Sequence, residues 1–132
     1  MSWSGLAAVF IGAGLGAVLR WWLALLLNPV FPTLPLGTLA ANALGGLLVG
    51  VLVALLSHFD QLAVEWRLFA ITGMMGGLTT FSTFSVEVVT LIQRAQFACA
   101  LLAASTHLFT SLALTAAGLG LTRWLLVLLQ RA

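Results

Sequence analysis

Long apolar runs separated by short polar interruptions fill the chain, and this pattern predicts helices that cross a bilayer. A spanning helix needs roughly 20 apolar residues, and residues 3–27, 36–56, 66–93 and 97–129 form four such runs. The fourth is longer than one crossing requires and is expected to tilt or to lay its end along the interface. Residues 28–35 read as a proline-punctuated loop, because proline lacks an amide donor and restricts its predecessor. Residues 58–65 read as a polar loop carrying Asp60 and Glu65, and residues 94–96 as a tight turn. Trp3, Trp21, Trp22, Trp66 and Trp124 fall near the run ends, where amphipathic indoles favour the headgroup level.

One stretch departs from the pattern inside the third run. Gly76-Gly77-Leu78-Thr79-Thr80-Phe81-Ser82-Thr83-Phe84-Ser85 sets two glycines and a cluster of hydroxyls in an otherwise greasy segment. In hydrocarbon an unpaired backbone amide or carbonyl costs several kcal/mol, so non-helical backbone persists there only inside protein or beside a wet cavity. Breaks of this kind are where transport proteins hold ions and substrates. The expectation is an all-α membrane protein whose third helix is broken, with the break as its functional centre.

Composition secures the membrane setting. Of 132 residues, 62% are hydrophobic and 6% charged, and the mean hydropathy is +1.18, far outside the soluble globular range. No room remains for a soluble domain, so residues 1–132 form a single four-helix unit. Lysine and tyrosine are absent, and the net charge of +2 rests on five arginines against three acids. So few charges give no argument for a nucleic-acid partner. The lone Cys99 excludes an internal disulfide framework. No positively charged leader precedes the first run, which therefore reads as a retained helix.

Arginine placement leaves orientation open. Arg67, Arg123 and Arg131 fall on the side shared by the termini and the second loop, and Arg20 and Arg94 on the other. Cytoplasmic loops normally carry a clear excess of Lys and Arg, and three against two is almost none. Either Arg20 and Arg94 snorkel in a chain of one topology, or the chain inserts both ways and pairs head to tail.

Several polar residues within the runs need partners. Ala8, Gly12, Gly16 and Arg20 recur every four residues and share one face of the first helix, and Gly-x-x-x-Gly lets two backbones approach closely. Arg20 ends that stripe, as a snorkelling charge or as a fixed positive charge in an aqueous vestibule that attracts anions. Asn42 follows Thr38 by one turn on the second helix, and its amide can donate to an anion or to a neighbouring helix. His107, Ser111 and Thr115 line one face of the fourth. No Cys or carboxylate at metal spacing accompanies His107, and the two hydroxyls serve either their own helix or a polar track. Phe81 and Phe84 lie three apart after the break. Their positive ring edges can stabilise a small anion without the grip of a full charge, although ordinary packing is the commoner fate of phenylalanine. Glu87 follows on the same helix, where a carboxylate is either paired or part of a transport path.

These residues resemble a known family. The run from Gly76 to Glu87, together with Gly12-Ala13-Gly14-Leu15-Gly16-Ala17-Val18-Leu19-Arg20 and Pro35-Leu36-Gly37-Thr38-Leu39-Ala40-Ala41-Asn42, is similar to the signatures of the Fluc fluoride channels, also called CrcB proteins. The resemblance covers nearly the whole chain. It implies an antiparallel, dual-topology homodimer in the bacterial inner or plasma membrane, exporting fluoride passively through two pores. It also implies that Asn42, Phe81 and Phe84 line the fluoride path, that Ser111 and Thr115 continue it, and that a structural sodium ion sits at the dimer axis on main-chain oxygens of Gly76 and Thr79. Family members often carry a tyrosine in the fourth helix near the aromatic pair; this chain has none, and whether His107 takes that place is open. The alternative is a small proton-coupled transporter resembling the small multidrug resistance proteins, which require an acid in the first span. That span has none here. No nucleotide-binding motif or catalytic constellation supports an enzyme or an energised pump.

The near balance of arginines and the close-packing stripe on the first helix together argue for a dual-topology antiparallel homodimer and generate a test. A C-terminal tag probed from each face of the membrane is expected in both orientations, and two or three lysines added to the loop at Asp60–Glu65 are expected to bias insertion one way and to reduce function. A single orientation in the unmodified chain contradicts dual insertion.

Overall fold

The computed structural model describes residues 2–31, 33–59 and 61–131. Helix α1 is Trp3–Leu27, α2 Leu36–His58, α3 Val64–Arg67, α4 Gly76–Leu78, α5 Phe81–Gln93 and α6 Phe97–Arg131. A π-helical run, Leu68–Met75, joins α3 to α4, and a 3₁₀ turn, Asn28–Val30, follows α1. Among the described residues there are four helical spans long and apolar enough to cross a membrane, Trp3–Val30, Leu36–His58, Val64–Gln93 and Phe97–Arg131. The chain is an all-helical, multi-pass membrane protein.

The ends of the spans differ from the sequence expectation by two residues at three places. α2 continues to His58, the third span starts at Val64, and α6 continues to Arg131. Polar residues at a helix end are compatible with the last turn because its carbonyls need donors; beyond α2, the Arg67 guanidinium donates to the Leu56 carbonyl at 2.6 Å. Asp60, expected in the second loop, lies outside the described residues. The turn after α5 closes with Gln96 N donating to the Leu91 carbonyl and Ala95 N to the Ile92 carbonyl, both at 2.9 Å. Ala95 takes the left-handed conformation, φ 57°, at the position where glycine is usual.

Polar side chains fasten the ends of the bundle. Ser2 caps α1 by accepting from the Gly5 amide at 3.1 Å, and Ser4 donates to Glu65 at 2.9 Å, joining the start of α1 to the start of α3. At the other end of α1, Asn28 accepts from the Gly37 amide at 2.8 Å and so caps α2.

Between the ends, glycine seams replace a large core. A Cβ on Gly12 would fall 2.9 Å from the Met74 amide nitrogen, and one on Gly16 would fall 2.7 Å from that of Leu78. Gly73 faces back, with a Cβ there 2.8 Å from the Val9 carbonyl. The stripe Gly12–Gly16 therefore seats the third span against α1 within one chain, so it no longer argues for a dimer. A second seam joins α2 to α6: a Cβ on Gly50 would meet the Leu119 amide at 2.9 Å, and one on Gly118 that of Val51 at 3.1 Å. In lipid, where apolar surface gains nothing by hiding, such close packing is what holds helices together. Ala41, Met75 and Leu78 form the buried cluster between them, while Phe10, Phe97, Leu101 and all five tryptophans remain exposed to the surroundings.

Gly14 lies between the seam residues but has open space where a Cβ would sit. Gly16→Ala is expected to destabilise the fold by about 1–3 kcal/mol through overpacking. Gly14→Ala is expected to be neutral or stabilising by up to about 1 kcal/mol through helix propensity. Thermal unfolding followed by circular dichroism in detergent separates them, and equal effects would refute the seam.

Candidate functional site: a pocket beside the helix break

Helicity stops at Leu78 because two successive residues turn extended. Thr79 has φ −80° and ψ 153°, and Thr80 has φ −149° and ψ 111°. In an uninterrupted α-helix the Thr80 amide would donate to the Gly76 carbonyl, and the Phe81 amide to that of Gly77. Instead the Thr80 amide donates to Asn42 Oδ1 at 2.8 Å, while Asn42 Nδ2 donates to the Thr80 carbonyl at 3.2 Å. The carboxamide of α2 thus satisfies both backbone groups of one residue, as a neighbouring peptide would. Arg20 Nε donates to the Gly77 carbonyl at 3.0 Å. The Thr79 amide and hydroxyl both donate to the Met75 carbonyl, at 3.0 and 2.8 Å. Helix α5 then restarts on an N-cap, with the Thr80 hydroxyl accepting from the Thr83 amide at 3.1 Å.

Beside the break lies a pocket of about 670 Å³ between α2, the third span and α6, with Asn42, Gly76, Thr79, Phe81, Phe84, His107 and Ser111 in its wall. Among the described residues, no Asp, Glu, Lys or Arg lines it. The Phe81 ring is 80% exposed and lies 5.4 Å from that of Phe84. Phe84 in turn stacks on His107, with centroids 4.8 Å apart and planes 32° apart. His107 is buried, and its Nδ1 is 3.2 Å from Asn42 Nδ2. Gly45 makes room for the Thr79 methyl group, which a Cβ at that position would overlap.

Five residues expected at the site from the sequence, Asn42, Phe81, Phe84, Gly76 and Thr79, share this wall, and Ser111 joins them. Thr115 does not line it: its hydroxyl donates to the Gly46 carbonyl at 3.0 Å and locks α2 to α6. Arg20 also stands outside, bound to the break from the α1 side. Glu87 is paired, accepting a hydrogen bond from the Thr38 hydroxyl, and borders a separate space of about 50 Å³. Thr80 escaped the sequence reading as a site residue. A hydroxyl residue directly before a renewed helix is an N-cap signal and marks where α5 starts.

The Gly76 carbonyl has lost the amide that would have met it, and Gly76 is exposed on the pocket wall. A bare carbonyl at this depth suits a hard cation, which prefers oxygen ligands. The donor set near Gly76 and Thr79 is in this respect compatible with sodium. No group of three or more His, Cys, Asp or Glu side chains gathers at metal-binding distance among the described residues.

Comparison with known proteins gives a consistent assignment. The family model described as "CrcB-like protein, Camphor Resistance (CrcB)" matches residues 7–119. A protein of Nitrosospira multiformis named fluoride-specific ion channel FluC is 54% identical over 120 residues, covering 91% of this chain and 94% of the relative. Proteins of the same name from Burkholderia cenocepacia and Chromobacterium violaceum are 55% and 51% identical, covering 91% and 93% of this chain and 94% and 98% of theirs.

The geometry at Asn42 generates a ranking. Asn42→Asp keeps an acceptor for the Thr80 amide but sets carboxylate oxygen against the Thr80 carbonyl and His107 Nδ1. Asn42→Ser leaves a smaller group that can still donate or accept. A stranded backbone group in hydrocarbon costs several kcal/mol, so Asn42→Asp is expected to lower thermal stability more than Asn42→Ser. The reverse order, measured by unfolding in detergent, would refute the capping role.

Proposed function

The chain belongs to the CrcB-like family, and from that premise we propose that it conducts fluoride passively across the membrane and so lowers the fluoride inside the cell. The observation that carries the reading is a wall of neutral donors and ring edges, with no charged side chain among the described residues, set beside an opened helix. Fluoride holds its water tightly, so a path for it must offer replacement donors. A fixed cation would bind it too well to release, whereas conduction requires sites that are favourable to enter and weak enough to leave. Phenyl edges and hydroxyls meet that requirement. Along this path we place Phe81, Phe84 and Ser111 beside Asn42, with Thr115 one turn beyond and Arg20 as the charge that draws anions toward the break.

The proton-coupled alternative needs a carboxylate in the pocket. Glu87 is engaged by Thr38 outside it, so passive conduction is favoured.

The functional unit in this reading is an antiparallel homodimer of oppositely inserted copies in the bacterial inner or plasma membrane. Its support is the near balance of arginines, the open side of the pocket and the 80% exposure of Phe81, a ring that a second copy would cover. A structural sodium ion would sit at the dimer axis on main-chain oxygens of Gly76 and Thr79. Bound there, it would tie the two breaks together through the carbonyl oxygens of Gly76 and Thr79. The chain's own contribution is the Asn42 lock, which keeps the Thr80 amide away from the Gly76 carbonyl.

Substitution of the rings tests the path. Isoleucine keeps apolar volume but has no positive edge, so Phe81→Ile and Phe84→Ile are expected to reduce fluoride efflux from liposomes by about tenfold or more, the equivalent of about 1.4 kcal/mol, with the size-exclusion profile unchanged. Parent-level efflux from both variants would contradict this assignment.

A further inference from the structure

Helix α2 touches the break at two positions three residues apart, Asn42 and Gly45, a spacing that puts them on one face of the helix. Asn42 Oδ1 takes the Thr80 amide at 2.8 Å. The peptide bond between Thr79 and Thr80 is trans, so its carbonyl points opposite to its amide and therefore away from Asn42. A continuous helix would bring the Thr83 amide to that carbonyl, but this amide donates to the Thr80 hydroxyl instead, at 3.1 Å. The Thr79 carbonyl is thus both released from helical pairing and turned from α2.

The branched side chain of Thr79 holds the other half of the residue. Its amide and hydroxyl both donate to the Met75 carbonyl, at 3.0 and 2.8 Å. With the hydroxyl placed, the methyl group has one direction left, and it lies where a Cβ on Gly45 would be. The next atoms around that Cβ, Thr79 Cβ and Leu78 Cδ2, stand at 3.7 and 3.8 Å, which is ordinary contact. Gly45 therefore differs from Gly50 on the same helix, which makes room for the backbone of α6. It makes room for one methyl group of the break. An alanine at this position would turn the Thr79 side chain about χ1, and that turn withdraws the hydroxyl from Met75.

We propose that the seat of the Thr79 methyl group on Gly45 aims the Thr79 carbonyl, which makes Gly45 a positioning residue for the cation site although it offers the ion no ligand. The inference rests on the reading of Gly76 and Thr79 as main-chain ligands of sodium and deepens it. Amide, side chain and following peptide of Thr79 are each held, by Met75, by Gly45 and by Asn42 in turn, so neither φ nor ψ is free. A β-branched residue suits this seat because its χ1 is stiff. The hydroxyl and the methyl group then act as two pegs on one carbon.

The test follows thermal unfolding of the full-length chain in detergent while sodium chloride replaces N-methylglucamine chloride at constant ionic strength. An ion that binds the folded state raises the melting temperature once its concentration passes its dissociation constant. Gly45→Ala is expected to need about 10- to 100-fold more sodium for the same rise, the range seen when a residue that orients a metal ligand is changed. The Thr79→Ser background has no methyl group to displace, and adding Gly45→Ala to it is expected to leave the sodium response where Thr79→Ser alone sets it. A general packing role for Gly45 would cost the same in both backgrounds, so the departure from additivity is the diagnostic. A Gly45→Ala chain that does not fold, beside a double variant that folds, supports the seat; failure of both to fold overturns it. A parent-like sodium response from Gly45→Ala, or an equal loss in both backgrounds, overturns the positioning role alone. A parent chain whose melting ignores sodium overturns the sodium reading and this inference with it.

Discussion

A backbone interrupted inside hydrocarbon must have its polar groups met by protein, and the exchange between Asn42 and Thr80 is the contact on which this structure turns. Without it, two of the groups opened by the extended pair Thr79–Thr80 would be stranded, at several kcal/mol each in hydrocarbon. The third span would then be expected to close into a continuous helix. Asn42 meets both groups of Thr80, Arg20 meets the Gly77 carbonyl, and the Thr80 hydroxyl starts α5. Two neighbouring helices, α1 and α2, therefore converge on the break, at Gly77 and Thr80. The glycine seams serve that convergence: they bring α1 close enough for Arg20 to reach, and Gly45 admits the Thr79 methyl group.

The same constraint gives the site its chemical character. An opened helix releases the Gly76 carbonyl on one side and reorients Phe81 and Phe84 on the other, so groups suited to a cation and to an anion lie on one wall. In the proposed conduction path Asn42 and Arg20 also hold the opened backbone, and the rings and the Ser111 hydroxyl are offered to the ion. Each is a weak ligand, and weak ligands in sequence favour passage over retention.

Much of this was legible in the chain. Four apolar runs located the spans, and the hydroxyl-rich interruption at 76–85 marked where the third span departs from a plain helix, because lipid penalises polar residues strongly enough to make each one conspicuous. Asn42 stood out for that reason, and Phe81 and Phe84 for their spacing directly after the interruption. What escaped was pairing. The Gly12–Gly16 stripe looks the same in sequence whether it meets a second copy or, as here, the third span of its own chain. Nor does the spacing of Thr115 reveal that its hydroxyl donates to the Gly46 carbonyl. The π-helical turns at Leu68–Met75 carry no side-chain signature, since they arise from backbone hydrogen bonds shifted by one residue.

Fluoride efflux from liposomes reconstituted with the unmodified chain tests the central claim most directly. With a potassium ionophore to balance charge, the account predicts rapid release of fluoride and retention of chloride, at a rate indifferent to an imposed proton gradient. Equal release of chloride, or fluoride movement that requires the proton gradient, would contradict it.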